Sequence, residues 1–212
     1  MSIGGTAAYD GIDDLPEMVA AAVDLARRLE FPASCRPEQG RLLRTLAAGV
    51  CGWIGETGTG CGVGLAWMLT GRRPGTSIVT VERDAHRARH VKELFAGVPD
   101  LDIVHGDWTA VGDWAPYGLL VLDGGGNGKT GERADPARLL ISGGTVVIDD
   151  FTPMTVWPPQ HDGVVDDVRL GWLEHPALLA AELRLAPDLS TIVGTRRPEP
   201  SSVKAWRGSG YR

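Results

Sequence analysis

The chain has 212 residues, with 27 Asp and Glu against 21 Lys and Arg and a formal net charge of -6. That acidic balance argues against a nucleic-acid partner, which needs clustered cations to contact phosphates. No apolar run approaches the roughly 20 residues of a membrane-spanning helix, so no membrane partner is expected either. A 43% share of hydrophobic residues at this length suits one α/β domain with a full core.

Residues 1–14 are rich in Gly and Asp and are expected to form a loose, flexible arm. They carry no basic stretch followed by an apolar one, so no secretion signal is expected. Cys35, Cys51 and Cys61 have no paired metal or redox spacing, which suits a reducing cytoplasm. The segment "LPEMVAAAVDLARRLE" (15–30) has helical spacing and ends before Pro32. A second helix is expected over "RPEQGRLLRTLAAG" (36–49), with Pro37 near its start and Gly49 past its end.

Strands and helices then alternate. "VCGWIGE" reads as a buried strand entering a glycine-rich turn, and "GVGLAWMLTG" as the helix beyond it. "SIVTVE" is the second strand, followed by the helix "RDAHRARHVKELFAG" with Asp84 as its cap. "LDIVHGD" is the third strand and "YGLLVLD" the fourth. "DPARLLIS" is a short helix and "GGTVVIDD" the fifth strand. A helix is expected around "VDDVRLGWLEHPALLA" (165–180), then a hairpin of "AELRLAP" and "LSTIVGTRR" turning at Pro187 and Asp188. The pattern predicts an α/β fold: a Rossmann-like, seven-stranded, mostly parallel sheet with an antiparallel C-terminal strand and helices on both faces. Residues 198–212 read as a tail.

The turn "WIGETGTGCGVG" (53–64) decides the chemistry. A dinucleotide fingerprint requires a third glycine three residues after the second. Counted from Gly58 that position is Val63, and counted from Gly60 it is Leu65. No Gly-Lys-Ser/Thr closes the turn, so it is not a phosphate loop either. Glu56 ends the first strand, and Glu82 ends the second, where an acid can accept ribose hydroxyls. Either acid alone reads as a solvated strand end; together with the glycines they read as a cofactor site.

The segment Glu56-x-Gly58-x-Gly60-x-Gly62 resembles the first motif of class I S-adenosylmethionine (SAM)-dependent methyltransferases. The resemblance covers about residues 36–197 and implies one methyltransferase domain over 15–197. It also implies SAM as cofactor, with Asp107 and Trp108 at the end of the third strand holding the adenine. Asp123, ending the fourth strand, and Asp149 and Asp150, ending the fifth, open onto the same sheet edge. Three converging carboxylates repel unless protonated or neutralised by a cation, and hard oxygen donors favour Mg²⁺ or another hard divalent cation. This arrangement, with the "PEQGRLLRTLAA" helix, resembles the catechol and caffeoyl-CoA O-methyltransferase branch. There Asp123, Asp149 and Asp150 would be metal ligands, and Asp123 could instead contact the amino-acid end of the cofactor.

One feature departs from that branch: Gly126 stands where a base lysine is usual. Lys129 and His161 are the substitute candidates for the catalytic base, although for each a solvated loop residue is the simpler reading. Phe151 and Trp157, with Trp172, are candidates to line an apolar acceptor pocket, whereas Trp53 reads as core. His86 and His90, four apart with Glu93 one turn on, have a spacing that zinc ligands use, although a solvated surface pair is the simpler reading. The expectation is a cytoplasmic SAM-dependent O-methyltransferase acting on a small aromatic hydroxyl, compatible with a homodimer. The rivals are a metal-independent enzyme, a non-catalytic SAM-binding module, and a nicotinamide-dependent oxidoreductase.

Overall fold

The computed structural model describes residues 4–123 and 133–198. Two helices, α1 (Glu17–Arg28) and α2 (Pro37–Ala48), precede the first strand. Then follow β1 (Trp53–Thr57), α3 (Val63–Gly71), β2 (Ser77–Glu82), α4 (Ala85–Leu94), β3 (Leu101–His105) and a 3-10 segment (Trp108–Trp114). The second half holds β4 (Tyr117–Leu122), α5 (Pro136–Leu139), β5 (Leu140–Phe151), the short hairpin β6 (Gln160–His161) and β7 (Val164–Val165), α6 (Asp167–Leu173), β8 (Leu178–Ala186) and β9 (Leu189–Arg196).

Seven strands form one sheet in the order β3-β2-β1-β4-β5-β9-β8, and only β9 runs against its neighbours. Strand order reverses beside β1, so the crevice for a ligand lies beyond the carboxyl ends of β1 and β4. The central strands are buried on both faces, as a parallel sheet requires. In β4, Leu119 and Val121 enter the core under α1, α2 and α3, while Leu120 and Leu122 enter the core on the opposite face with Leu139 and Trp172. That two-residue alternation is the pleat distributing one strand between two cores.

Three local expectations need correction. Where a loose arm is expected over 1–14, the described part packs inward: Tyr9 is only 2% exposed. Its hydroxyl donates to the Cys35 carbonyl (2.8 Å) and accepts from Trp67 Nε1 (2.9 Å), and the Thr6 hydroxyl donates to the Phe31 carbonyl (2.6 Å). An aromatic ring with a satisfied hydroxyl outweighs the glycine-rich composition around it. The expected helix over 165–180 stops at Leu173, because Pro176 cannot donate to a helical ladder and disfavours helix before it; from Leu178 the chain is strand. Leu140 to Ser142, expected as helix, already belong to β5, with Leu140 paired to Tyr117.

Helix α2 crosses α3 closely because Gly40 faces the Trp67 indole. A Cβ there would fall 2.2 Å from the ring, and the indole is held by its bond to Tyr9. Gly40→Ala is therefore expected to overpack this crossing and cost about 1–3 kcal/mol. Urea unfolding of the variant against the parent measures it, and an unchanged midpoint would show that the indole moves aside freely.

Candidate functional site

The site is built by strand register. Glu56 on β1 pairs with Thr80 on β2, so their side chains share one face of the parallel ladder. The Thr80 hydroxyl donates to Glu56 Oε2 at 2.5 Å, and Thr59 Oγ1 lies 2.6 Å from Thr80 Oγ1. Glu56 is 1% exposed, beneath the glycine turn rather than at its mouth. Burial pushes its carboxyl up to about 8; the Thr80 bond opposes this, and the Asp123, Glu82 and Asp149 carboxylates reinforce it.

Gly58, Gly60 and Gly62 all have φ between 59° and 84°, a region that favours glycine. The protein's own packing also demands the small residue. A Cβ on Gly62 would meet Phe95 at 2.8 Å, and one on Gly64 would meet Glu56 Oε1 at 2.8 Å. The glycines thus let the turn fold tightly over Glu56, with α3 starting at once behind it.

Glu82 ties three elements together. Its Oε2 accepts from Gly60 N (2.8 Å), while Oε1 accepts from Asp84 N (2.8 Å) and Arg87 Nη2 (2.8 Å). A carboxylate offers about four acceptor positions, so in this arrangement one is left, on Oε2. Asp84 caps α4 by accepting from Arg87 N, as expected of it. The Arg87 guanidinium also lies 5.1 Å over the Phe31 ring.

Asp123 and Asp149 are both buried. Together with Glu56 they lie close enough to Cys35 to help raise its thiol, whose main perturbation is burial. Four of the acids singled out from the sequence therefore gather in one crevice: Glu56, Glu82, Asp123 and Asp149. Among the described residues, no three His, Cys, Asp or Glu side chains form a metal-binding group. The Asp150 side chain, Gly126 and Lys129 lie outside the described residues.

Asp107 caps the 3-10 segment, accepting from Thr109 N (3.1 Å) and the Thr109 hydroxyl (2.9 Å); the backbone donor above all holds it below its usual range. Trp108, half-buried beside it, borders a cavity of about 160 Å³ with Arg133, Asp135 and Arg138. His161 sits on the β6–β7 hairpin with its side chain 74% exposed, 3.7 Å from Asp162. That is solvent, not the buried acids, and the sequence alone could not separate the two positions. Trp172 is buried in the core under α6, so it does not line an acceptor pocket. The half-buried Phe151 ends β5, and Trp157, 62% exposed, lies on the segment following it.

Sequence reasoning missed the residues that hold these groups. Thr80 could have been found from the register of two parallel strands ending in Glu56 and Glu82. Arg169 had no such signal. It is buried in α6, donates to the Thr152 carbonyl (2.9 Å) and Asp166 (3.1 Å), approaches Glu182 at 3.4 Å, and stacks 4.8 Å over the Phe151 ring. Glu182 in turn accepts from Met154 N (2.9 Å), so this pair pins the chain just past β5.

No protein-family model and no curated protein matches the chain. Solved structures do. The cofactor-bound Rv0187 protein from MTB is 20% identical, with a TM-score of 0.70 over 94% of this chain and 99% of that one. The O-methyltransferase from Bacillus cereus, solved in complex with SAH, is 16% identical, with a TM-score of 0.65 over 91% of this chain and 96% of that one. TomG from Streptomyces achromogenes, an O-methyltransferase involved in tomaymycin synthesis and solved with SAM, is 20% identical, with a TM-score of 0.65 over 91% and 95%. The chain shares the fold of these solved O-methyltransferase structures, as the glycine turn and the single antiparallel strand lead one to expect.

The buried Glu56 gives this site a pH signature. Its folded value, about 8, lies above its ordinary value of 4.5, so between those limits the folded chain binds the extra proton. Stability from this group is complete below about pH 4.5 and declines as pH rises toward 8, with a slope of at most about 1.4 kcal/mol per pH unit. Glu56→Gln, which is neutral throughout, should flatten the fall in unfolding free energy over that window. Denaturant melts at several pH values test it, and an equally steep decline in the variant would assign the slope to other groups.

Proposed function

We propose that the chain is a SAM-dependent O-methyltransferase acting on a hydroxyl of a small, aromatic acceptor. One observation carries this reading: Glu56, Glu82, Asp123 and Asp149, rather than a phosphate cradle, gather at the carboxyl end of the sheet by the switch point. A pyrophosphate-bearing dinucleotide would meet repulsion there. A sulfonium cation with an ammonium group and a ribose meets complementary charge. The remaining acceptor position on Glu82 suits one ribose hydroxyl, and Asp107 with Trp108 suits the adenine.

Methyl transfer is an in-line displacement, so the protein's task is to align acceptor oxygen, methyl and sulfur. Phe151 and Trp157 would offer apolar surface to an aromatic acceptor on the segment that Arg169 pins. Asp123, Asp149 and Asp150 would hold a divalent cation, which fits their hard oxygen donors and the mutual repulsion of acids gathered in one crevice. When bound, such a cation lowers the pKa of an acceptor hydroxyl. Lys129 and His161 remain candidates for the base.

The second reading is a SAM-binding module without turnover, favoured by Gly126 in place of a lysine. Incubation with SAM and a catechol separates the two: SAH and a methylated catechol are expected, and tight SAH binding with no turnover on any hydroxylated aromatic would leave the module. EDTA should abolish turnover and Mg²⁺ restore it; turnover indifferent to EDTA would remove the cation from the proposal.

Glu82→Ala should weaken SAH binding by about 1.5–3 kcal/mol, the range for hydrogen bonds to charged groups, or roughly tenfold or more by calorimetry. Unchanged affinity in a folded variant would take the ribose away from Glu82.

A further inference from the structure

Helix α4 carries a pair of imidazoles that the crevice does not use. His86 Nε2 and His90 Nε2 lie 3.2 Å apart, with ring centroids separated by 4.5 Å and planes at 80°. His86 is exposed and His90 half-buried. We propose that these two nitrogens form a binding site for a divalent transition cation of the zinc class, bridging one turn of α4.

The geometry carries the proposal. Two imidazole nitrogens at the usual 2.0–2.1 Å from one zinc ion stand about 3.3 Å apart at a tetrahedral angle. The observed 3.2 Å separation matches that distance, and a turn of the rings would aim both nitrogens at one ion. The partner on the far side of one ring is in place as well. His90 Nδ1 lies 3.2 Å from Glu93 Oε2. An Nδ1–H donated to that carboxylate leaves Nε2 as the lone-pair nitrogen, the tautomer a ligand needs. Nitrogen ligands select zinc-class cations over Mg²⁺ and Ca²⁺, which separates this site chemically from the carboxylate crevice.

Two features limit its strength. Among the described residues no third ligand converges, because Glu93 is spent on His90 Nδ1, so water completes the coordination. Arg89 Nη2 also approaches His90 Nε2 at 3.4 Å and must turn away, toward Glu93, whose Oε1 is 4.0 Å from Arg89 Nε. The site is therefore of moderate affinity and tuned by Arg89. Closing it would staple the turn that also bears Arg87, the residue bound to Glu82.

Titration of the full chain with ZnCl₂ by calorimetry, in excess Mg²⁺ to occupy the carboxylates, tests this. One saturable equivalent is expected, with a rise in the thermal unfolding midpoint. His86→Asn and His90→Asn should each abolish saturable binding while circular dichroism shows an intact fold. Glu93→Gln should weaken it about tenfold or more, and Arg89→Gln should strengthen it. Cobalt(II) substitution gives an independent readout through its visible absorption. Zinc binding that survives both histidine substitutions, or no saturable binding at millimolar zinc, would overturn the site and leave the pair as two hydrogen-bonded surface rings. Neither result touches the methyltransferase reading, which rests on the crevice.

Discussion

The electrostatic repulsion among Glu56, Glu82, Asp123 and Asp149 sets the terms for everything around the crevice. Carboxylates gathered at one buried sheet edge cannot all be charged and unpaired. The protein settles each one differently. Glu82 accepts from two backbone N–H groups and a guanidinium. Glu56, deeper and with a hydroxyl donor, moves toward the neutral form. Asp123 and Asp149 stand with them, buried at the carboxyl ends of β4 and β5.

The frame around that edge is asymmetric. On one side, the turn, Glu82, Arg87 and Phe31 interlock. On the far side, the chain past β5 is anchored at Thr152 and Met154 by Arg169 and Glu182, and beyond those anchors it bears the exposed Trp157, Val164 and Val165. Fixed geometry thus lies on one side of the edge and exposed apolar surface on the other.

Much of the fold was legible because its signals are local. Alternating apolar runs marked the strands, Asp84 and Pro37 marked helix starts, and the Glu56-to-Gly62 motif marked the turn. The acids at strand ends were readable because a parallel sheet brings all its carboxyl ends to one edge, whatever the intervening sequence. What escaped were facts of tertiary pairing. Tyr9 looked like part of a loose arm because its partners, Cys35 and Trp67, are remote in sequence. Arg169 looked like one more charge on a helix, since nothing local says that Glu182 and the Thr152 carbonyl will meet it. Trp172 was misread for the same reason: a residue's type names its chemistry, but burial is decided by what packs over it.

Burying Glu56, Glu82, Asp123 and Asp149 costs free energy that the rest of the molecule must offset. The two cores on either side of the sheet supply the apolar burial that tolerates a buried, largely neutral Glu56 and the nearby aspartates. Hydrophobic replacements at these positions would relieve the repulsion and leave nothing to recognise a cation. A ligand that binds only the folded form returns stability in proportion to its concentration. On the reading proposed above, the acids whose burial costs stability are the ones through which a cationic cofactor would return it.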